Sequence, residues 1–121
     1  MEGREIKAAA IQMSSTPNKD ENLETAERLI RAAVSSGANL VALPELWNCH
    51  GLEKVYRENA EPIPGPTTEF LGTPARELGV YVLGGSILEG GPHPENCIIR
   101  RRLSLSTARC LLCTVRSTFS T

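Results

Sequence analysis

Three short runs, Ile6 to Met13, Leu40 to Leu43 and Val80 to Leu83, are apolar at most or all positions rather than at alternate ones. Strands of that kind must be covered on both faces, the condition of a largely parallel sheet flanked by helices. Between the first two runs, Leu23, Ala26, Ile30, Ala33 and Val34 recur at three- and four-residue steps, while Glu24, Arg28 and Arg31 fall elsewhere. This pattern predicts one amphipathic helix. Asn18 or Asp20 supplies the side-chain oxygen that satisfies an orphan N–H of its first turn, and Asp20, Glu21 and Glu24 suit its positive end. Gly37 ends it by taking the left-handed C-terminal conformation cheaply. The strand–helix–strand spacing makes the strands parallel with a right-handed crossover.

After the turn Pro64-Gly65-Pro66, Thr67 or Thr68 opens a second helix with Phe70, Leu71, Ala75 and Leu78 facing inward and Gly79 at its end. Pro74 interrupts that helix in the sequence, so a kink is expected, or a restart with Thr73 as a new cap. The order is β-α-β-α-β, an α/β class. Glu89 to Asn96 reads as a Gly/Pro/His loop. From Ile99 to Thr121 no period is sustained and neither Gly, Pro nor an acidic residue occurs. Two segments follow: 1–98, a single globular unit, and 99–121, a tail of unrelated character.

A chain of 121 residues suits one hydrophobic core. Thirteen Lys and Arg against fourteen Asp and Glu give a net charge of −1 with no basic stripe, so no nucleic-acid partner is expected. No run of eighteen apolar residues exists, and Met1 to Lys7 is too polar for a signal peptide. The expectation is a cytoplasmic protein with no membrane partner and a small-molecule ligand. Cys49, Cys97, Cys110 and Cys113 are too sparse for a disulfide framework. Cys110-x-x-Cys113 lacks the second ligand pair that tetrahedral zinc requires, and His50 and His93 supply none, so no metal is expected.

In an open parallel sheet, ligands bind beyond the carboxyl ends of the strands. Glu45 and the segment Gly84-Gly85-Ser86 both lie at such ends. Pro44 removes a ladder donor and turns the chain out of the sheet, so Glu45 follows a stiff element. On spacing alone, Glu45 is either a general base or a carboxylate that caps a loop or forms an ion pair at the strand exit. Cys49-His50 is a poor nucleophile pair, because adjacent residues rarely direct their side chains at each other. Trp47, Asn48, Cys49 and His50 read instead as lining or supporting a pocket rim, and Glu53, Tyr56, Arg57 and Glu58 as solvated surface with one partly buried ring.

Four blocks occur together in order: Ala9-Ala10-Ile11-Gln12-Met13, Gly37-Ala38-Asn39-Leu40-Val41-Ala42-Leu43-Pro44-Glu45, Ile63-Pro64-Gly65-Pro66-Thr67 and Gly79-Val80-Tyr81-Val82-Leu83-Gly84-Gly85-Ser86. The set resembles the nitrilase superfamily of carbon–nitrogen hydrolases over roughly Lys7 to Cys97, and most nearly its omega-amidase and deaminated-glutathione-amidase branch. The resemblance implies the N-terminal half of a four-layer αββα sandwich. It also implies a cofactor-free amidase that cleaves non-peptide C–N bonds with a Glu, a Lys and a Cys, and that commonly forms dimers or larger assemblies. Glu45 matches the Glu, the general base; no residue matches the Lys or the Cys, and the substrate-binding residues are not legible.

The family's Lys stands in a Tyr-Arg-Lys-x-His-Leu-Phe motif that this chain does not contain. Cys113 to Thr121 can nevertheless be encoded by TGT ACC GTA AGG TCC ACC TTT TCG AC, which, read from the last base of the first codon, gives Tyr-Arg-Lys-Val-His-Leu-Phe-Asp. The expectation is that 99–121 is a frameshifted tail and that the chain is an inactive, marginally stable fragment. The competing class is a non-enzymatic interaction module, or a partner of a full-length hydrolase, using Arg100-Arg101-Arg102 on an acidic surface.

Overall fold

The structure, a computed structural model, describes residues 5–90, 97–104, 110–113 and 118–119, the last three segments by their backbone. Its elements are β1 (Ala8–Ala10), α1 (Lys19–Ser35), β2 (Leu40–Ala42), α2 (Glu53–Asn59), α3 (Pro66–Leu78), β3 (Tyr81–Gly90), β4 (Cys97–Ser104), β5 (Cys110–Cys113) and β6 (Thr118–Phe119). One sheet runs β1-β2-β3-β4-β5, with β6 beside β4. The first three strands are parallel, as their spacing predicts, and β4, β5 and β6 pair antiparallel.

The described part of α1 follows its sequence closely. The Asn18 side chain accepts the Glu21 N–H at 3.2 Å, so Asn18 rather than Asp20 is the cap. Leu23, Ala26 and Ile30 are buried, with Ala33 and Val34 packed alongside. Gly37, at φ 105°, turns the chain out after Ser36. Across the sheet, Ala9, Val41 and Val82 stand in register on the face that carries the core with Leu71 and Ala75 of α3. Each fully buried aliphatic side chain there contributes about 1.5–3 kcal/mol by leaving water.

Four expectations change. The first strand shrinks from Ile6–Met13 to three residues at the sheet edge, where Ala8 and Ala10 are exposed and only one face is covered. The third strand extends through Gly90, so it takes in the start of the predicted loop; residues 91–96 lie outside the described residues. Helix α3 neither restarts at Thr73 nor takes a threonine as its cap. Gly65 is the N-cap and Pro66 the first helical residue, where a missing N–H is harmless; Gly65 N–H donates to Thr68 Oγ1, which donates back to the Gly65 carbonyl. Pro74 stays within the helix with its ring fully buried, so packing offsets the bond it cannot make. Helix α2 has only half-buried residues on its inner side, too weak a stripe to announce itself.

Past residue 98, strands β4, β5 and β6 run through the stretch where no period was legible. Cys97, Arg100, Arg101, Arg102, Cys110 and Cys113 fall on them, and the placement of their side chains lies outside the described residues, as does His93. Among the described residues, no helix is long and apolar enough to cross a membrane.

Candidate active site

At the carboxyl end of β2 the chain is fastened to β3 residue by residue. Leu43 N–H donates to the Leu83 carbonyl at 2.9 Å, extending the ladder one step beyond the strand. Pro44 has no N–H to continue it, and its carbonyl instead accepts the Ser86 N–H at 3.4 Å. Glu45 then opens a turn over residues 45–48 and is itself exposed. Leu46 follows at φ 47°, a left-handed conformation uncommon for a residue with a Cβ, and its N–H donates to Ser86 Oγ at 3.0 Å. Trp47 is buried, with its indole N–H on the Gly84 carbonyl at 2.8 Å.

The opposing strand is shaped to permit this. Its register with β4 shifts between Leu83 and Ser86, a bulge that turns Gly84 and Gly85 toward the Pro44 segment. Gly85 sits at φ 65°, and a Cβ there would lie 2.1 Å from the Pro44 carbonyl oxygen and 2.8 Å from that of Leu43. Only glycine combines that conformation with that approach. Glu45 is therefore held at both flanks, by Pro44 before it and by the Leu46–Ser86 and Trp47–Gly84 bonds after it.

Below the turn lies a buried polar lattice. Asn48 donates to Thr67 Oγ1 at 3.1 Å; Thr67 N–H and its hydroxyl donate to the two oxygens of Glu61 at 2.6 and 2.9 Å; Lys19 Nζ reaches Glu61 Oε2 at 2.7 Å. Asn22 donates to the Asn48 carbonyl at 2.9 Å, and Thr16 accepts the His50 N–H at 3.0 Å. The lattice joins α1, α3 and the segment that follows Glu45, and satisfies polar groups that burial would otherwise strand. Glu61, Lys19, Asn22 and Thr67 were not legible in the sequence as parts of the site, since isolated polar residues in loops and helix ends carry no period.

Trp47, Asn48 and Cys49 are buried and support the turn from beneath; His50 is exposed, its ring 3.1 Å from the Tyr56 hydroxyl. Burial pushes the Cys49 thiol above its ordinary pKa, with Lys19 opposing that more weakly, and its sulfur lies 3.8 Å from the Val55 carbonyl oxygen. A thiol held protonated in this way is a poor nucleophile. The structure keeps Cys49 and His50 apart as a catalytic pair: one is packed inside, the other engaged at the surface. A shallow cavity of about 450 Å³ between Pro17, Lys19, Leu23, Asn59 and Pro66 does not include Glu45.

A family model described as carbon-nitrogen hydrolase matches residues 7–105, past the boundary read at residue 98. An omega-amidase of Xenopus tropicalis is 44% identical over 84 residues, 69% of this chain and 30% of that protein. A deaminated glutathione amidase of Synechocystis sp. is 46% identical over 87 residues, 72% of this chain and 30% of that protein. Among solved structures, Saccharomyces cerevisiae Nit3, described as a member of branch 10 of the nitrilase superfamily, superimposes with a TM-score of 0.76 at 24% identity, covering 93% of this chain and 43% of that one. An amidase from Nesterenkonia sp. AN1, solved with acrylamide added at its active-site cysteine, gives 0.72 at 19% identity, covering 94% and 44%. The chain thus spans about a third of the length of these curated relatives and shares the fold of less than half of each of the solved ones.

Proposed function

The chain belongs to the carbon–nitrogen hydrolase family, and from that membership we propose that Glu45 is the general base of a Glu-Lys-Cys amidase acting on a small-molecule amide in the cytoplasm. The observation that carries the reading is the rigid exit from β2, which presents an exposed carboxylate beyond the carboxyl end of a parallel strand. A thiol near its ordinary pKa is mostly protonated at neutral pH, so a nucleophilic cysteine needs a base beside it. Glu45 takes the thiol proton as sulfur attacks the amide carbon, and a lysine stabilises the oxyanion. The proton passes to the departing ammonia, and water releases the acid from the thioester.

Within these 121 residues none matches the family's Lys or Cys, and Cys49 is a packed thiol. Because such residues act as a unit, a polypeptide of these residues alone turns over no amide above background. Codons permitted for 113–121 can write the missing lysine motif in an alternative frame, which supports reading 99–121, give or take a few residues at its start, as a frameshifted tail of a longer hydrolase reading frame. Sequencing the coding DNA around Asn96 tests this directly: codons incompatible with Tyr-Arg-Lys-Val-His-Leu-Phe-Asp remove the proposal. If they are compatible, the polypeptide expressed from the restored frame releases ammonia from amides, and Glu45→Gln lowers kcat roughly 10²- to 10⁴-fold. Unchanged turnover in Glu45→Gln would reject Glu45 as the base, and Glu45-dependent ammonia release by the 121-residue chain would reject its inactivity.

A further inference from the structure

We infer that Ser86 is the positioning residue for Glu45, acting through the Leu46 peptide; this rests on the reading of Glu45 as a base. Ser86 is fully buried, and its hydroxyl oxygen accepts the Leu46 N–H at 3.0 Å. Leu46 is the residue just after Glu45 and the only non-glycine among the described residues with positive φ. A β-carbon in the left-handed region is disfavoured by about 1–2 kcal/mol, so the conformation persists only where something outside the segment holds it. The Trp47 indole bond to Gly84 fixes the far side of the turn, but it lies on a side chain with two rotatable bonds of its own. The Ser86 contact alone is made by the backbone group of the residue whose φ is unusual.

The same contact explains why the bulge of β3 falls where it does. The register shift between Leu83 and Ser86 brings the Ser86 side chain to the level of the Pro44–Leu46 turn, and the Ser86 N–H meets the Pro44 carbonyl at 3.4 Å. One residue therefore grips the peptides on both sides of Glu45, through its N–H before it and through its hydroxyl after it. A backbone so pinned restricts the directions in which the Glu45 carboxylate can leave the turn, which is what proton abstraction at a fixed sulfur demands. Alanine would keep the backbone grip and lose the hydroxyl one; threonine would keep both.

The test is NMR spectroscopy of the 121-residue chain and its Ser86→Ala, Ser86→Thr and Glu45→Gln variants. Three signals are read: hydrogen exchange of the Leu46 amide, the Leu46 φ signature in its H–N–Cα–H coupling, and the Glu45 χ1 couplings. In Ser86→Ala the Leu46 amide should exchange roughly tenfold faster, the size of one lost hydrogen bond, while the Val41 and Val82 amides keep their protection. The φ signature and the Glu45 χ1 couplings should move toward averaged values, and Ser86→Thr should restore all three. Unaltered Leu46 and Glu45 signals in Ser86→Ala, with the sheet amides intact, would overturn the proposal and leave Ser86 as core filling. Failure of Thr to rescue would do the same. Glu45→Gln should leave the Leu46 signals in place, so a failure of the base reading, seen only in turnover of the restored frame, is separate from a failure here.

Discussion

Cys49 stands four residues beyond Glu45, near enough in sequence to suggest the missing nucleophile, and its surroundings decide against that role. The thiol is buried, and burial holds its pKa above the ordinary value of about 8.5 because the thiolate would sit away from water. The unfolded chain therefore loses this proton first as pH rises. The stabilising contribution is complete below about pH 8.5 and is lost as pH climbs through the folded-state value, since the unfolded state then binds fewer protons than the native one. Urea unfolding between pH 7 and 10 should show a steeper alkaline loss in the native chain than in Cys49→Ala. Parallel pH profiles would overturn the raised thiol pKa. In the sequence a strand exit and a proline flag Glu45, but spacing leaves a general base and a loop-capping or ion-paired carboxylate both open, and only the family resemblance favours the base. The residues that hold it were less legible: Ser86 was visible only within a Gly-Gly-Ser segment, and the left-handed turn at Leu46 carries no compositional mark at all.

At the scale of elements, α1 was readable almost to its caps, since its apolar stripe and Asn18 cap agree with the tertiary packing. Helix α2 was not, because a seven-residue helix with no buried side chain has little pattern to show. Pro74 misled for a definite reason: chain chemistry disfavours proline inside a helix, and the packing of its buried ring in the core overrode that preference. Beside the shared core and the exposed Arg31–Glu77 pair, the join between α1 and α3 includes a polar device that no periodicity announces, the Lys19–Glu61 pair with Thr67. Glu61 is 4% exposed and its oxygens take two hydrogen bonds from Thr67 and one from Lys19. In Glu61→Gln an NH2 group would face one of those donors and Lys19 would lose its counter-charge. We expect a loss of about 2–4 kcal/mol in urea unfolding, smaller when Lys19→Met is added because the orphaned cation is then gone. A loss under about 1 kcal/mol would place the pair among exposed ion pairs of little consequence.

At the scale of the whole molecule, the parallel part of the sheet, β1, β2 and the first residues of β3, is clothed mainly on one face, whereas Ile87 and Leu88 farther along β3 are buried in two separate clusters. Ala9, Val41 and Val82 look into the core, so their in-register neighbours Ala8, Leu40 and Tyr81, and Ala10, Ala42 and Leu83, look the other way. On that side Ile6 is 71% and Tyr81 51% exposed, Ala8 and Ala10 are exposed, and Leu40, Ala42 and Leu83 are only partly covered. The all-apolar runs that first implied strands buried on both faces thus present one bare face. Water-facing apolar surface on a continuous sheet favours association with any similar surface, and β1 adds an open edge whose short alanine strand carries no charge to discourage pairing. A polypeptide of these 121 residues should therefore bind hydrophobic dyes, self-associate in a concentration-dependent way and unfold in urea with an m-value below the roughly 1–3 kcal/mol/M of small compact domains. Replacing Ile6 and Tyr81 together by lysine should suppress the association while changing unfolding free energy by no more than about 0.5 kcal/mol, because neither side chain contributes to the core. Sedimentation of the two chains side by side makes the measurement. A native chain that stays monomeric and unfolds cooperatively with an ordinary m-value would show that the bare face is too small to matter. Association that persists unchanged in the double lysine variant would place its cause at the strand edge instead.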